Sequence, residues 1–218
     1  YTGERESLET VQKLAGTVKA GLGTEPVEKS KEKLTCTKKN EGFKTSGQVQ
    51  YVAQTGNFKK KGLEYTGALE NLRVKGGAYG CMSGFKRNGE SYLVSYRDPH
   101  LKRTLDVYKG IPDYIRNFQA DEREMTKYII GTISGKDVPR TPQMKGSVSK
   151  TAYFCGVTEE MLQKERDQIL NASAEDIHAL AEIIEAVLAA DQICVVGSES
   201  KVAEASDVLM EVKPLINC

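Results

Sequence analysis

Long apolar runs, an excess of either charge and paired cysteines are all missing from this 218-residue sequence, and each absence removes a class of protein. No window approaches the ~20 apolar residues that cross a bilayer, which predicts a chain with no membrane partner. Its 31 Lys+Arg and 30 Asp+Glu leave a formal charge of +1, so bulk charge excludes a dedicated nucleic-acid binder. The five cysteines, Cys36, Cys81, Cys155, Cys194 and Cys218, are odd in number, form no C-x-x-C pair and lie mostly in apolar surroundings. They read as reduced thiols of a cytoplasmic protein rather than as a disulfide framework. The polar opening Tyr1-Thr2-Gly3-Glu4-Arg5 predicts no signal peptide, and the missing initiator Met predicts a fragment or a processed chain. At 39% hydrophobic and 28% charged, the composition fits a globular domain.

Self-sufficient catalytic motifs are missing too. The only histidines, His100 and His178, sit in neither H-x-x-E-H nor its inversion, so the ligand set of a hydrolytic zinc is absent and no metal site is expected. Glu175-x-x-His178 has the spacing of half a di-iron motif, but that site needs a second copy and two further carboxylates; a helix-surface histidine is the simpler reading. No G-x-S-x-G elbow occurs. Asn171-Ala172-Ser173 matches a glycosylation acceptor but reads as the start of a helix. Gly76-Gly77-Ala78-Tyr79-Gly80 lacks both the G-x-G-x-x-G spacing and a following Gly-Lys-Ser/Thr. Its glycines open a strand, whereas a phosphate loop must open a helix whose amides face the anion. They let the chain leave a helix and enter a sheet beside close-packed backbone.

Several elements can be read from the pattern. Leu8, Val11, Leu14, Ala15, Val18 and Leu22 recur at spacings of three and four, an amphipathic helix over residues 4–22 closed by Gly21 and Gly23. Residues 47–53 alternate polar with apolar, predicting a strand with its β-branched and aromatic members turned inward. Residues 78–87 and 90–97 flank Asn88-Gly89, a dipeptide suited to a type I′ turn, and predict a hairpin with Tyr92, Val94 and Tyr96 on one face. Asp98-Pro99 reads as a helix start. A further apolar stripe lies at Met125, Tyr128, Ile129 and Ile133, followed by a loop over 132–146 with Gly135, Pro139, Pro142 and Gly146. Ser173-x-x-Asp176 is a capping box leading into Ile177, Leu180, Ala181, Ile184 and Leu188. A short strand over 192–196 and a last helix over 201–210 complete the order. The class is α+β: an antiparallel sheet with helices packed on one face.

Charge is uneven. Residues 1–110 hold 20 Lys+Arg and 12 Asp+Glu, and the remainder holds 11 and 18. The Lys-rich stretch from 19 to 61 is either a solvated face or a positive wall for an anionic or carboxylate-bearing partner.

Arg73-Val74-Lys75-Gly76-Gly77-Ala78-Tyr79-Gly80 and Ser95-Tyr96-Arg97-Asp98-Pro99, with Gln50-Tyr51-Val52 and Gly131-Thr132-Ile133, resemble the carboxy-terminal quarter of presequence proteases, the large pitrilysin (insulinase-like) zinc peptidases. The likeness covers roughly 40–196. It implies the metallopeptidase-half (LuxS/MPP-like) fold over residues 25–218, preceded by a helix and linker over 1–24. In that family two halves close around a peptide. The resemblance therefore implies zinc in the parent enzyme's amino-terminal half, that half and peptide substrates as partners, and no cofactor in this fragment. It also implies that Arg73 and Tyr79 act as catalytic and substrate-binding residues, with Gly76 and Gly77 in the same substrate-binding segment. A guanidinium and a phenol can stabilise the oxyanion of peptide hydrolysis. The plainer reading makes Arg73 a helix C-terminal cation and Tyr79 a half-buried strand aromatic. Only Glu70-Asn71-Leu72 separate Gly67-Ala68-Leu69 from Arg73, where the resemblance implies roughly three more helical turns. A non-catalytic scaffold domain of the same fold is the alternative.

Two histidines without a helical H-x-x-E-H predict that the isolated chain holds no stoichiometric zinc and cleaves no peptide. Elemental analysis after dialysis, run beside a fluorogenic peptide assay, checks this; one tightly held zinc per chain would contradict it.

Overall fold

The computed structural model describes residues 1–26, 37–71 and 80–216. In chain order the elements are α1 (Leu8–Ala20), β1 (Glu41–Thr45), β2 (Gln50–Asn57), 3-10 turns at Phe58–Lys61 and Gly67–Asn71, β3 (Gly80–Phe85), β4 (Glu90–Asp98), α2 (Lys102–Arg116), α3 (Glu122–Lys136), α4 (Pro142–Cys155), α5 (Glu159–Leu170), α6 (Ala174–Leu188), β5 (Gln192–Ser198), α7 (Glu199–Glu204) and β6 (Glu211–Pro214). They divide into two compact units, one of residues 1–36 with 137–162 and one of 37–136 with 163–218.

The larger unit is built on a six-stranded sheet of order β3-β4-β2-β5-β1-β6. From β3 to β5 neighbours are antiparallel, while β1 runs parallel to both β5 and β6. The α+β class therefore holds, with a mixed rather than wholly antiparallel sheet. Tyr108, Leu105 and Ile111 of α2 and Leu180, Ile184 and Val187 of α6 bury against Val52, Leu93 and Val195 of the strands. The capping box is present as read: Ser173 Oγ accepts from the Asp176 amide at 3.1 Å and Asp176 Oδ2 from the Ser173 amide at 2.8 Å.

Strand β2 has the opposite facing from the one its pattern suggests. Gln50, Val52, Gln54 and Gly56 point inward, and Tyr51 turns out. Polar residues can face the core here because their amides are occupied. Gln50 Nε2 donates to the Asp98 carbonyl at 3.1 Å, its Oε1 accepts from the Ser198 amide at 3.0 Å, and Gln54 Nε2 donates to the Leu188 carbonyl at 3.4 Å. Tyr92, Val94 and Tyr96 do share a face, and it is the same helix-free one.

Local geometry differs in three further places. Asp98 stays in β4 and α2 begins at Lys102, yet the carboxylate still serves the connection: it accepts from the His100 amide at 2.8 Å and the Thr104 hydroxyl at 2.6 Å. The breaker-rich stretch 132–146 is mostly helical, with only 137–141 between α3 and α4. Pro142 sits in the first turn of α4, where it forfeits no hydrogen bond, and Thr141 Oγ1 caps the Met144 amide. The hairpin is closed by three residues, Arg87-Asn88-Gly89, between Lys86 and Glu90, with φ of +87° at Gly89 and none positive at Asn88. This is the type I turn plus left-handed residue of three-residue loops, not type I′.

In the smaller unit α1 forms over the expected stripe and ends where Gly21 donates back to Thr17 and Val18. Its apolar face is uncovered, with Leu14 64% exposed. In α4 the exposed rings of Tyr153 and Phe154 meet edge to face at 5.5 Å.

Gly89 takes a backbone conformation that a β-branched residue resists, and a side chain there would run into Asn57 and Lys59. Gly89→Val is expected to destabilise the larger unit by about 1–3 kcal/mol. Asn88→Val, which loses the cap on the Glu90 amide and the side-chain hydrogen bond to the exposed Glu90 carboxylate, should cost about 1 kcal/mol. Urea unfolding of the two variants ranks them; equal losses would contradict the three-residue turn.

Candidate functional site

Arg73, Gly76, Gly77 and Tyr79 lie outside the described residues. What is described is the frame on either side of them: the 3-10 turn Gly67–Asn71 and the first residue of β3, Gly80.

The turn is fixed to α5 and to the core. The Gly67 amide donates to Gln168 Oε1 at 2.9 Å, Ala68 and Leu69 are buried, and a side chain at Gly67 would collide with the Glu165 carbonyl. Glu165 itself is buried and paired with two cations. Its carboxylate, 7% exposed, takes both Nε and Nη2 of Arg87 at 2.5 Å and Nζ of Lys136 at 3.2 Å. Arg87 also lies 5.8 Å over the ring of Tyr65. Burial alone would raise the Glu165 pKa, but the hydrogen bonds and charges of Arg87 and then Lys136 outweigh it and hold the carboxyl below its ordinary value. No local sequence pattern announces this cluster, because its members come from a hairpin turn and two helices.

On the other side of the gap, β3 meets β4 through two matched pairs, Gly80 opposite Tyr96 and Gly84 opposite Tyr92. Any side chain at either glycine would strike the facing tyrosine ring, so both rings lie across the strand. Together with Met82, Val94 and Tyr51 they form a helix-free, mostly apolar face, on which Tyr51 is 46% and Met82 52% exposed. Cys194 shares that face, opposite Ala53. Partial burial and then the Glu41 carboxylate push its thiol pKa up, which disfavours the nucleophilic thiolate.

The helix side offers less chemistry. A cavity of about 330 Å³ is lined by Asn40, Gln54, Leu105 and Ile193 together with Lys38, Asp191 and Asp207. Its acids are paired, Asp191 with Lys38 at 2.5 Å and Asp207 with Lys102 at 2.8 Å; the Lys102 hydrogen bond holds Asp207 below the usual carboxylate range. Tyr108 donates to the Val52 carbonyl at 3.3 Å, and its pKa is pushed up to about 12, chiefly by burial. His178 Nε2 lies 2.7 Å from the Phe118 carbonyl and must donate to it. Among the described residues no group of three or more His, Cys, Asp or Glu is placed to hold a metal ion, and no helix is long and apolar enough to cross a membrane.

The fold is shared with solved structures of low sequence identity. A peptidase M16 inactive domain from Pseudomonas fluorescens superposes with a TM-score of 0.58 at 14% identity, over 96% of this chain and 52% of that one. A protease from Helicobacter pylori gives 0.54 at 12% identity, over 85% and 51%. Residues 40–200 match the family model of the PreP C-terminal domain, and the chain belongs to that family of presequence-protease-like M16 peptidases. Protein HypA of Clostridium perfringens is 43% identical over 229 aligned residues, spanning 99% of this chain and 24% of HypA. Presequence protease 1, chloroplastic/mitochondrial, of Arabidopsis thaliana is 36% identical over 163, spanning 68% of this chain and 15% of that protein. The chain thus spans a quarter or less of these two relatives.

Because the Glu165 carboxyl titrates below its ordinary value in the folded chain, its contribution to stability is present above the ordinary value and is lost as pH falls through the folded one. Arg87→Ala should cost on the order of 2–3 kcal/mol at pH 7, less than a wholly buried pair because Arg87 is partly exposed. The gap from wild type should shrink toward pH 3. Urea midpoints at both pH values check it, and a gap independent of pH would remove the ionic explanation.

Proposed function

We propose that this chain is the closing, substrate-chamber domain of a zinc peptidase that degrades peptides, and that it supplies contacts to the substrate and transition state while the metal belongs to the amino-terminal half of the parent protein. The observation that carries this reading is the family match over residues 40–200, which spans the Arg73–Tyr79 segment. The donor set of this chain does not suit a hydrolytic zinc: one of its two histidines is spent on a backbone carbonyl, and the described residues hold no three-ligand group. In the parent the metal would supply Lewis-acid polarisation of the scissile carbonyl.

The role of this chain's own residues is then electrostatic. The Arg73 guanidinium and the Tyr79 hydroxyl donate hydrogen bonds to the carbonyl oxygen as it gains negative charge, and Gly76 and Gly77 allow the peptide close to the backbone between them. A domain with donors but no metal is inactive alone. Among the described residues Cys81, Cys155 and Cys194 form no disulfide, which favours a reducing, cytoplasmic setting.

Arg73→Ala or Tyr79→Phe in the parent protein should lower turnover of unfolded peptides by about 100- to 1,000-fold with zinc content and melting temperature nearly unchanged. Tyr79→Phe is the cleaner variant, since it removes one hydroxyl and keeps the ring. A falling melting temperature with wild-type turnover of the folded fraction would instead make Tyr79 a packing residue. A parent that binds no zinc would favour the scaffold reading.

A further inference from the structure

Helix α1 carries an apolar stripe that the described residues leave uncovered. None of its 13 residues is buried, and Leu8, Val11, Leu14, Val18 and, just beyond its end, Leu22 are all exposed. Thr2, ahead of the helix, lies against Gly146 of α4, and the stripe gains no cover from that contact. Intrinsic propensity does not account for the helix. Gly16 sits in its interior and Thr10, Val11, Thr17 and Val18 are β-branched, residue types that weaken an isolated helix. A helix this short is marginal in water, and in proteins such helices are held by packing of the apolar face.

Three kinds of occupant could cover the stripe, and the residues favour one. Anionic lipid calls for a polar face rich in Lys and Arg, whereas here Glu4, Glu6 and Glu9 balance Arg5, Lys13 and Lys19. A second copy would pair two seams of about two heptads, where a lasting coiled coil takes about three or four. At about 1.5 Å per residue the helix is only about 20 Å long. Two such helices bury less than the ~1,200 Å² of a stable dimer. A patch of this size suffices where a covalent tether makes docking intramolecular.

The relatives contain chain for such docking. HypA aligns with 99% of this chain, α1 included, and the matched part is 24% of HypA, so most of HypA lies outside it. The family match begins at residue 40, so α1 falls outside the carboxy-terminal domain which that match covers. We propose that α1 is part of the interface between this chain and the further domains of its parent protein, with the Leu8–Val11–Leu14–Val18–Leu22 stripe docked on an apolar surface of those domains. The proposal rests on the reading of this chain as part of a larger protein. It requires neither zinc nor turnover.

The test is amide hydrogen exchange on the 218-residue chain and on the parent, with zinc content and turnover measured on the same parent preparation. In the 218-residue chain the α1 amides should exchange within about tenfold of the unstructured rate, and in the parent about 100-fold more slowly or better. Leu14→Ala favours helix but removes apolar surface. It should leave the melting temperature of the 218-residue chain unchanged and cut the protection of α1 in the parent by about tenfold. Lys13→Ala, which removes only the exposed pair with Glu9 at 2.8 Å, should cut it far less. Equal exchange of α1 in the two proteins, or parent protection indifferent to Leu14→Ala, would overturn the proposal. So would a parent dimer that Leu14→Asp makes monomeric, or parent binding to anionic vesicles that Leu14→Asp abolishes. Protected α1 in a parent without zinc would retire the peptidase reading and leave this one standing; open α1 in an active zinc enzyme would do the reverse.

Discussion

A side chain at position 56 would run into the backbone of Val187, and this close approach of α6 to β2 decides which face of the sheet is covered. Once Gly56 is committed inward, the two-residue period of the strand commits Gln54, Val52 and Gln50 with it and turns Tyr51 out. The inward amides then become connectors. Gln54 donates a second hydrogen bond to the Leu188 carbonyl at the end of α6, beside the one from the Asp191 amide. Gln50 joins the carbonyl of Asp98, where the chain leaves β4 for α2, to the amide of Ser198, which caps α7. One steric contact thus sets the facing of β2, ties two strand ends together, and leaves the tyrosines of β2 and β4 on the open side.

The second constraint is electrostatic. Glu165 is buried deeply enough that a lone carboxylate would be costly, and its three donors come from the β3–β4 turn and from α3. The ion cluster therefore does for separate elements what the core does for the sheet: it fixes a hairpin turn and a helix against α5. The 3-10 turn that leads toward residue 72 rests on the same helix through Gly67 and Gln168. A hydrophobic replacement could match the stability of such a cluster, but it would not specify the bidentate geometry that orients Arg87 over Tyr65.

How far the sequence could be read depended on the range of the interaction involved. The capping box at Ser173 and Asp176, the α1 stripe and the β3–β4 hairpin are set by residues three or four apart or by a turn, and each is present. The facing of β2 was not legible, because Val49 and Tyr51 look like core residues until α6 claims the opposite side. The stretch 132–146 carries the composition of a loop because Pro142 breaks a helix everywhere except in its first turn, which is where it sits. Parallel pairing of β1 with β5 and β6, and the partners of Glu165, depend on chain separations that no local pattern encodes. The family itself was legible through short motifs around the hairpin. Arg97 lay within one of those motifs, yet its distinguishing property is a backbone angle.

That angle is informative when set beside the chain's other positive-φ positions. Gly62, Gly89 and Gly156 occupy the left-handed region where only the backbone path matters, at turn and helix ends. Among the described residues two non-glycine residues do so, Asp191 and Arg97. Asp191 has an evident reason to keep its side chain: its carboxylate binds Lys38 and Asn40 at the start of β5. Replacing it with glycine would relax the backbone and break those contacts. Arg97 sits at the edge of a face that leaves tyrosines, a methionine and a valine to solvent, a surface of the kind that proteins keep for a partner. At position 97 the strained backbone belongs to the β-bulge that returns Asp98 to the core side, where its carboxylate accepts from the His100 amide and the Thr104 hydroxyl.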